Sequence, residues 1–369
     1  MAERKNLNKT IAEYRKNFYK VYHNTIVPIF LKYEKKRKKM IMQLIMLEVL
    51  CAIIAGLLFQ GLFVGSAEIY AEVYFVKLLI IIFFIWLIFS LPFYFNRIFT
   101  RSIKDNYMWQ ILDIFGENNK VIWYRNLNLM SDDMLVASSL FPIFNIRTED
   151  DVFWGNYHDK NFIISETHLE YNGRGGNKGL FRFNGVVISL ETNKVIKART
   201  IVVTRGDDYR GFFDIVFVAI LTCIGIVIAY YDNKIFVSIS WFFICLGCII
   251  WKVIEAKGKN LNEIKLEDPE FNKKYRAYSS DQVEGRYLIT PAFMERFKNI
   301  QTAFGTDKVK CSFFDNNLMF AISTRKNLFE IGNLFCSLEN PKQLETFFNE
   351  LTSIFMLIDY FKLNEKTGL

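Results

Sequence analysis

The sequence predicts an α+β protein on a polytopic helical membrane anchor: four spans in two hairpins, carrying a cytoplasmic module of antiparallel sheet plus helices. Three observations predict it. Four apolar stretches occur at 40–65, 74–95, 212–231 and 235–251. Two polar stretches of ordinary domain size, 96–211 and 252–369, follow the two hairpins. The first polar stretch alternates as strands do, and the second carries repeated helix-start signals. With 23% charged residues, most of the chain must lie outside lipid, while 51% hydrophobic content excludes a disordered chain.

Residues 1–39 form a basic cytoplasmic arm. They hold twelve Lys and Arg against three Glu, a local balance of +9, while the whole chain is only +8. The basic character therefore belongs to one arm, which argues against nucleic acid as a partner. Leu7, Ile11, Tyr14, Phe18 and Val21 share a helical face, and Pro28 is expected to interrupt that helix before the Lys35 to Lys39 cluster. The pattern suits a helix on an anionic lipid surface or one packed against the cytoplasmic module.

The first hairpin occupies residues 40–95. Helices of about 22 residues rise about 33 Å, enough for a hydrocarbon core of about 30 Å. The loop Ser66 to Val73 has two Glu and no basic residue, whereas Lys35 to Lys39 precede the hairpin and Arg97, Arg101 and Lys104 follow it. By the positive-inside rule both ends are cytoplasmic. The second hairpin, 212–251, repeats the pattern, with Arg205 and Arg210 before it and Lys252, Lys257 and Lys259 after it. Both termini and both polar stretches then share the cytoplasmic side, and 235–251 is the shortest span.

In 96–211, Ile103, Trp109, Ile111, Leu112 and Phe115 predict an amphipathic helix closed by Gly116, and Ser131 caps a second across Met134 to Leu140. From Asp151 the expectation is a four-strand meander, Val152–Tyr157, Asn161–Tyr171, Leu180–Leu190 and Val195–Thr204. In 252–369, Asp268 with Pro269 and Thr290 with Pro291 each read as N-cap and first-turn pairs. The second pair opens a helix striped by Phe293, Phe297, Ile300 and Phe304. Strands Lys308–Phe314 and Leu318–Ser323 turn at Asp315, Asn316 and Asn317. A terminal helix from Asn340 and Pro341 carries Leu344, Phe347, Phe348, Leu351, Ile354, Phe355, Ile358 and Phe361 on one face.

These residues carry a resemblance. The run Leu266 to Phe271, with Glu267, Asp268, Pro269 and Phe271, is followed by Tyr278, Asp281 to Glu284, Arg286, Tyr287 and Leu288 to Arg296, including Thr290 and Pro291. It resembles the signature of a bacterial membrane-protein family catalogued as domain of unknown function 3137. Leu140, Phe141, Glu149, Asp150, Gly155, Phe162, Ile164 to Glu166 and Phe183 to Gly185 resemble its β-rich first half. The apolar hairpin 212–251 departs from a pattern that has a soluble linker there. The resemblance implies the bacterial cytoplasmic (inner) membrane, no assigned activity and no cofactor, and a LemA-type membrane protein as partner.

A search for chemistry yields little, so no enzyme is expected. His23, His158 and His168 lie far apart and form no HExxH or triad pattern, and Cys245 with Cys248 sits inside an apolar span. The Gly173 to Asn177 loop fits neither phosphate-binding pattern, and Glu149, Asp150, Asp151, Glu267, Asp268 and Glu270 read as solvated caps. No metal ligand set is expected. Glu48 is the deepest acidic side chain in a span, only nine residues after Lys39. An intramembrane carboxylate marks an ion or proton site by default, and a position this near the interface favours snorkelling. The sequence thus predicts a membrane-anchored interaction or scaffold protein, with a small-solute or ion transporter component using Glu48 as the competing class.

Overall fold

In the computed structural model the described residues are 16–63, 71–115, 120–157, 160–171, 181–205 and 261–360, apart from positions 17, 143, 193, 194, 305 and 307. The chain divides into two compact units. The first holds Met1–Trp123 and Asn327–Ser353, the second Tyr124–Lys326 and Ile354–Leu369.

The first unit is built on α1 (Val27–Phe63) and α2 (Ala71–Leu112), both long and apolar enough to cross a membrane. Their most apolar windows are only 17% and 6% buried. Large side chains such as Met46, Leu57, Trp86, Phe89 and Phe93 stand exposed on them, as lipid-facing residues do. The expected second hairpin at 212–251 lies outside the described residues.

Two expectations are corrected here. Pro28 does not interrupt the helix: a π-helical turn, Tyr22–Ile26, leads directly into α1, so Pro28 falls in the first α-helical turn, where its missing N–H costs least. The amphipathic segment from Ile103 is not a separate helix but the last turns of α2, continued by a 3-10 turn, Asp113–Phe115. No helix breaker stands between Phe95 and Leu112, so the helix propagates past the lipid-length stretch.

Apart from the first three residues of β1, the second unit holds a nine-stranded sheet, with strand order β1-β2-β3-β4-β9-β8-β5-β7-β6. Its strands are β1 (Val121–Arg125), β2 (Ile146–Tyr157), β3 (Lys160–Tyr171), β4 (Phe181–Glu191), β5 (Thr200–Thr204), β6 (Asn262–Ile264), β7 (Tyr275–Ser279), β8 (Val309–Phe314) and β9 (Asn317–Ser323). The sheet interleaves strands from both polar stretches. The expected meander holds for β2, β3 and β4, but β5 is not its fourth strand, because β9 and β8 stand between β4 and β5. The β8–β9 hairpin closes on Asp315 and Asn316, both at positive φ as a tight hairpin turn requires.

Four short helices accompany the sheet: α3 (Asp132–Ala137), α4 (Pro269–Lys274), α5 (Gln282–Leu288) and α6 (Pro291–Phe304). Period-two alternation gives the sheet two buried faces. Met130, Leu135, Leu140 and Phe141 pack with Leu169, Val187, Ile201 and Met319 on one face. On the other, Phe293 and Phe297 of α6 meet Phe313 and Phe320, with ring centroids 5.4 and 6.4 Å apart. Phe355, near the end of α7 (Lys342–Tyr360), stacks on Tyr157 at 5.2 Å.

Glu149 and Asp151 overturn their reading as solvated caps. They lie within β2 at a register shift between Glu149 and Val152, and Asp151 is fully buried. A bulge turns consecutive side chains to unexpected faces, which strand periodicity alone cannot anticipate.

Candidate functional site

In the first unit, Phe18, Tyr22, Ile26, Phe30 and Tyr33 form a buried helical stripe, and Phe18 lies 4.8 Å from Phe348 of α7 between ring centroids. Of the two readings of the arm, the described part thus packs on protein. Lys16, Lys20, Lys32, Lys35, Lys36, Lys38 and Lys39 remain exposed around it.

One turn past the stripe, on its buried side, stand two charges. Arg37 donates Nε to Glu34 Oε2 at 2.7 Å and Nη2 to Glu34 Oε1 at 2.6 Å, a bidentate fork. Its third donor, Nη1, reaches the Leu334 carbonyl at 2.8 Å, and Glu34 Oε2 accepts from the Leu338 N–H at 3.1 Å. The hydrogen bond from Arg37 holds the Glu34 carboxyl below its ordinary range, outweighing the opposing effect of burial.

α2 holds the same segment from its own side chains. Asn96 Oδ1 accepts from the Leu334 N–H at 2.9 Å, and Lys104 donates to Glu330 at 2.9 Å. Asn327 also donates to that Glu330 oxygen, at 2.7 Å, and Glu350 of α7 accepts from the Phe329 N–H at 2.8 Å. Residues 330–338 are therefore strapped to α1 and α2 largely through their backbone. Such a clasp holds a chain in place; a carboxylate kept charged by arginine is a poor proton donor.

The family-signature residues do local structural work in the second unit. Asp268 caps α4, its Oδ1 accepting from the Glu270 and Phe271 N–H groups, and its Oδ2 pairs with Lys298 at 2.6 Å. The hydrogen bond from Lys298 holds the Asp268 carboxyl below its ordinary range. Pro269 opens α4, and Phe271 is buried 4.6 Å from the Tyr275 ring. Asp281 caps α5 through the Val283 and Glu284 N–H groups, and Thr290 accepts from Phe293 N–H at 3.1 Å ahead of Pro291. Glu267 and Arg286 are exposed, and Glu48 is half-buried along α1. The structure does not bring these positions together as one site.

Glu284, which the sequence marks only as the end of the signature run from Asp281, accepts through its two oxygens from the Lys197 and Ala198 N–H groups at 2.8 and 3.0 Å. Gly185 and Gly285 are close-approach positions: a Cβ would meet the Ile322 carbonyl oxygen at 2.0 Å or Ile264 Cδ1 at 2.3 Å. A shallow cavity of about 260 Å³ near Lys197, Arg199, Ser280 and Asp315 has a polar lining. Among the described residues, no group of three or more His, Cys, Asp or Glu could hold a metal ion. Cys311 is buried, which pushes its thiol well above the ordinary range and makes it a poor nucleophile. His168 stands beside Glu170 at 3.5 Å. His158, the Gly173 to Asn177 loop, Cys245 and Cys248 lie outside the described residues.

No curated protein and no solved structure matches the chain. Residues 181–363 match a family described as "protein of unknown function (DUF3137)", a stretch that takes in every signature residue from Glu267 to Pro291. Over that stretch the chain is similar to the DUF3137 family.

Proposed function

We propose that this protein is a membrane-anchored interaction or scaffold protein, multi-pass in a bacterial cytoplasmic membrane, with both termini and the sheet-bearing unit on the cytoplasmic side. The observation that carries the reading is the contrast along α1 and α2. Their apolar windows are exposed, while the polar ends, from Glu34 to Arg37 and from Asn96 to Lys104, are bonded to residues 330–338. A helix pair with a bare apolar middle and a satisfied polar base is what a membrane anchor fixed to a polar segment requires.

The exposed lysines of the arm fit anionic headgroups, contributing about 1 kcal/mol each near a charged surface. The apolar side of residues 18–33 is already covered by protein, so lipid contact there is electrostatic. The polar groups assembled in both units are caps and clasps, which supports binding over turnover. The resemblance adds a LemA-type membrane protein as the partner to look for first. Crosslinking in native membranes followed by affinity capture of the full chain tests the reading. Recovery of such a partner supports it, and capture of the chain alone counts against a scaffold.

A further inference from the structure

We infer that one end of the nine-stranded sheet is a basic rim that lies against anionic phospholipid headgroups, deepening the multi-pass reading above and resting on the expected insertion of 212–251 into the membrane. The register places the rim. Arg205 leaves β5 and donates its N–H to the Lys274 carbonyl at 2.8 Å, just before β7. On the other side of β5, Thr204 is bonded through Oγ1 to both the Val309 N–H and carbonyl, which sets Lys308 beside Arg205. The Lys308 carbonyl accepts from the Ser323 N–H at 3.0 Å, and Thr324 donates to the Asn184 carbonyl at 3.0 Å. Arg325, Lys326 and Arg182 therefore continue the same end.

Six cations thus follow one another across the adjacent strands β4, β9, β8, β5 and β7, all exposed. None makes an ion pair with a described residue. Against them stand Glu170, opposite Arg182 in the β3–β4 register and already beside His168, and Glu270, one turn before Lys274. Asp207, Asp208 and Asp307 are near in sequence, as is Arg210, and all four lie outside the described residues. The opposite end of the sheet carries instead the exposed apolar Val283 and Tyr287 of α5.

Chain length selects the occupant. β5 ends at Thr204 on the rim, and the apolar stretch begins at Phe212, eight residues on, a reach of at most about 28 Å. A basic rim tethered this closely to a bilayer meets phospholipid phosphate before any other polyanion. The rim is thus a three-dimensional form of the positive-inside pattern, assembled from five strand ends that are scattered in sequence.

The test places a photoreactive phenylalanine analogue at Tyr171, which ends β3 beside the rim, or at Tyr287 on the opposite end, in the full chain reconstituted in nanodiscs. With phosphatidylglycerol mixed into phosphatidylcholine, lipid adducts at Tyr171 should exceed those at Tyr287 several-fold. They should fall to the Tyr287 level in pure phosphatidylcholine, in high salt, and in an Arg205→Glu, Lys274→Glu, Lys308→Glu variant. The salt comparison needs no substitution, so misfolding of the variant cannot decide the result. Equal adducts at both positions, adducts indifferent to anionic lipid, or adducts only to protein or nucleic acid overturn the rim. Outside labelling at Asn233 with no lipid adduct at Tyr171 overturns the rim alone. Silence at Asn233 with adducts retained overturns the insertion of 212–251 and leaves the rim supported by its charge.

Discussion

Glu34 in the first unit and Glu149 in the second are both carboxylates almost out of reach of solvent, each paired with an arginine two or three residues away. Their surroundings move them in opposite directions. Glu34 receives the whole Arg37 fork plus a backbone N–H, and hydrogen bonding to its charged form prevails. Glu149 shares Arg147 with Asp132, and burial outweighs its hydrogen bonds from Arg147 and Ser165 and raises its pKa. The comparison shows that an arginine neighbour does not by itself set the direction of a carboxylate's shift; the balance between hydrogen bonding to the charged form and desolvation does.

The largest expected effect breaks the first unit outright. Leu351 is fully buried on α7, and Leu351→Asp removes an apolar contact while adding an unpaired charge, a loss of about 5 kcal/mol. Limited proteolysis should then cut within 327–353 while the protein stays in the membrane. Next, Arg37→Met strands Glu34 and should cost about 3 to 5 kcal/mol. Arg147→Met should cost about half as much, because a carboxyl whose pKa is already raised is neutralised at a smaller cost once its partner is lost. Denaturant melts of the purified chain with unit-specific probes compare the two, and equal losses would contradict the contrast. A Glu34→Gln, Arg37→Met double variant should recover part of the single-variant loss.

pH sharpens the same contrast. Glu34 has a lowered pKa in the folded state, so its stabilisation is complete above the ordinary carboxylate pKa and is lost only as pH falls below it. Glu149 has a raised pKa, so acidification from neutrality toward the ordinary carboxylate pKa stabilises β2 and its neighbours. Protection factors, with the intrinsic pH dependence of amide exchange divided out, should therefore stay flat for residues 330–338 over that upper range while those in β2 rise. Smaller still, Glu284→Gln weakens two bonds to the 197–198 backbone and should cost about 1 to 2 kcal/mol, read as faster exchange at Lys197 and Ala198. The smallest effect belongs to Glu48→Gln, which should leave expression, insertion and melting unchanged. Loss of a transport function with normal insertion would favour the transporter reading.

Three helix starts were legible because capping is local chemistry: Ser131, Asp268 and Thr290 each accept from N–H groups two or three residues away. The apolar hairpin and the stripe of α7 were legible from composition and period. The clasp was not, since Arg37 meets Leu334 across 297 positions and the partner is a backbone carbonyl, which leaves no mark on residue type. The place of β5 was also hidden. Its five residues look the same whether they follow β4 or lie between β8 and β7, and the choice is made by pairing with strands over 70 residues later. The basic rim was illegible for the same reason, because its cations become neighbours only once the strand order is known.

The central claim is a membrane anchor holding its polar units on the cytoplasmic side, and cysteine accessibility in whole cells tests it most directly. Single cysteines at Ser66, Asn233 and Asn316, in a chain freed of exposed native thiols, are treated with a membrane-impermeant maleimide before and after the cells are opened. The account predicts labelling of Ser66 and Asn233 in intact cells, and labelling of Asn316, in the β8–β9 turn, only after opening. Labelling of Asn316 from outside would contradict it.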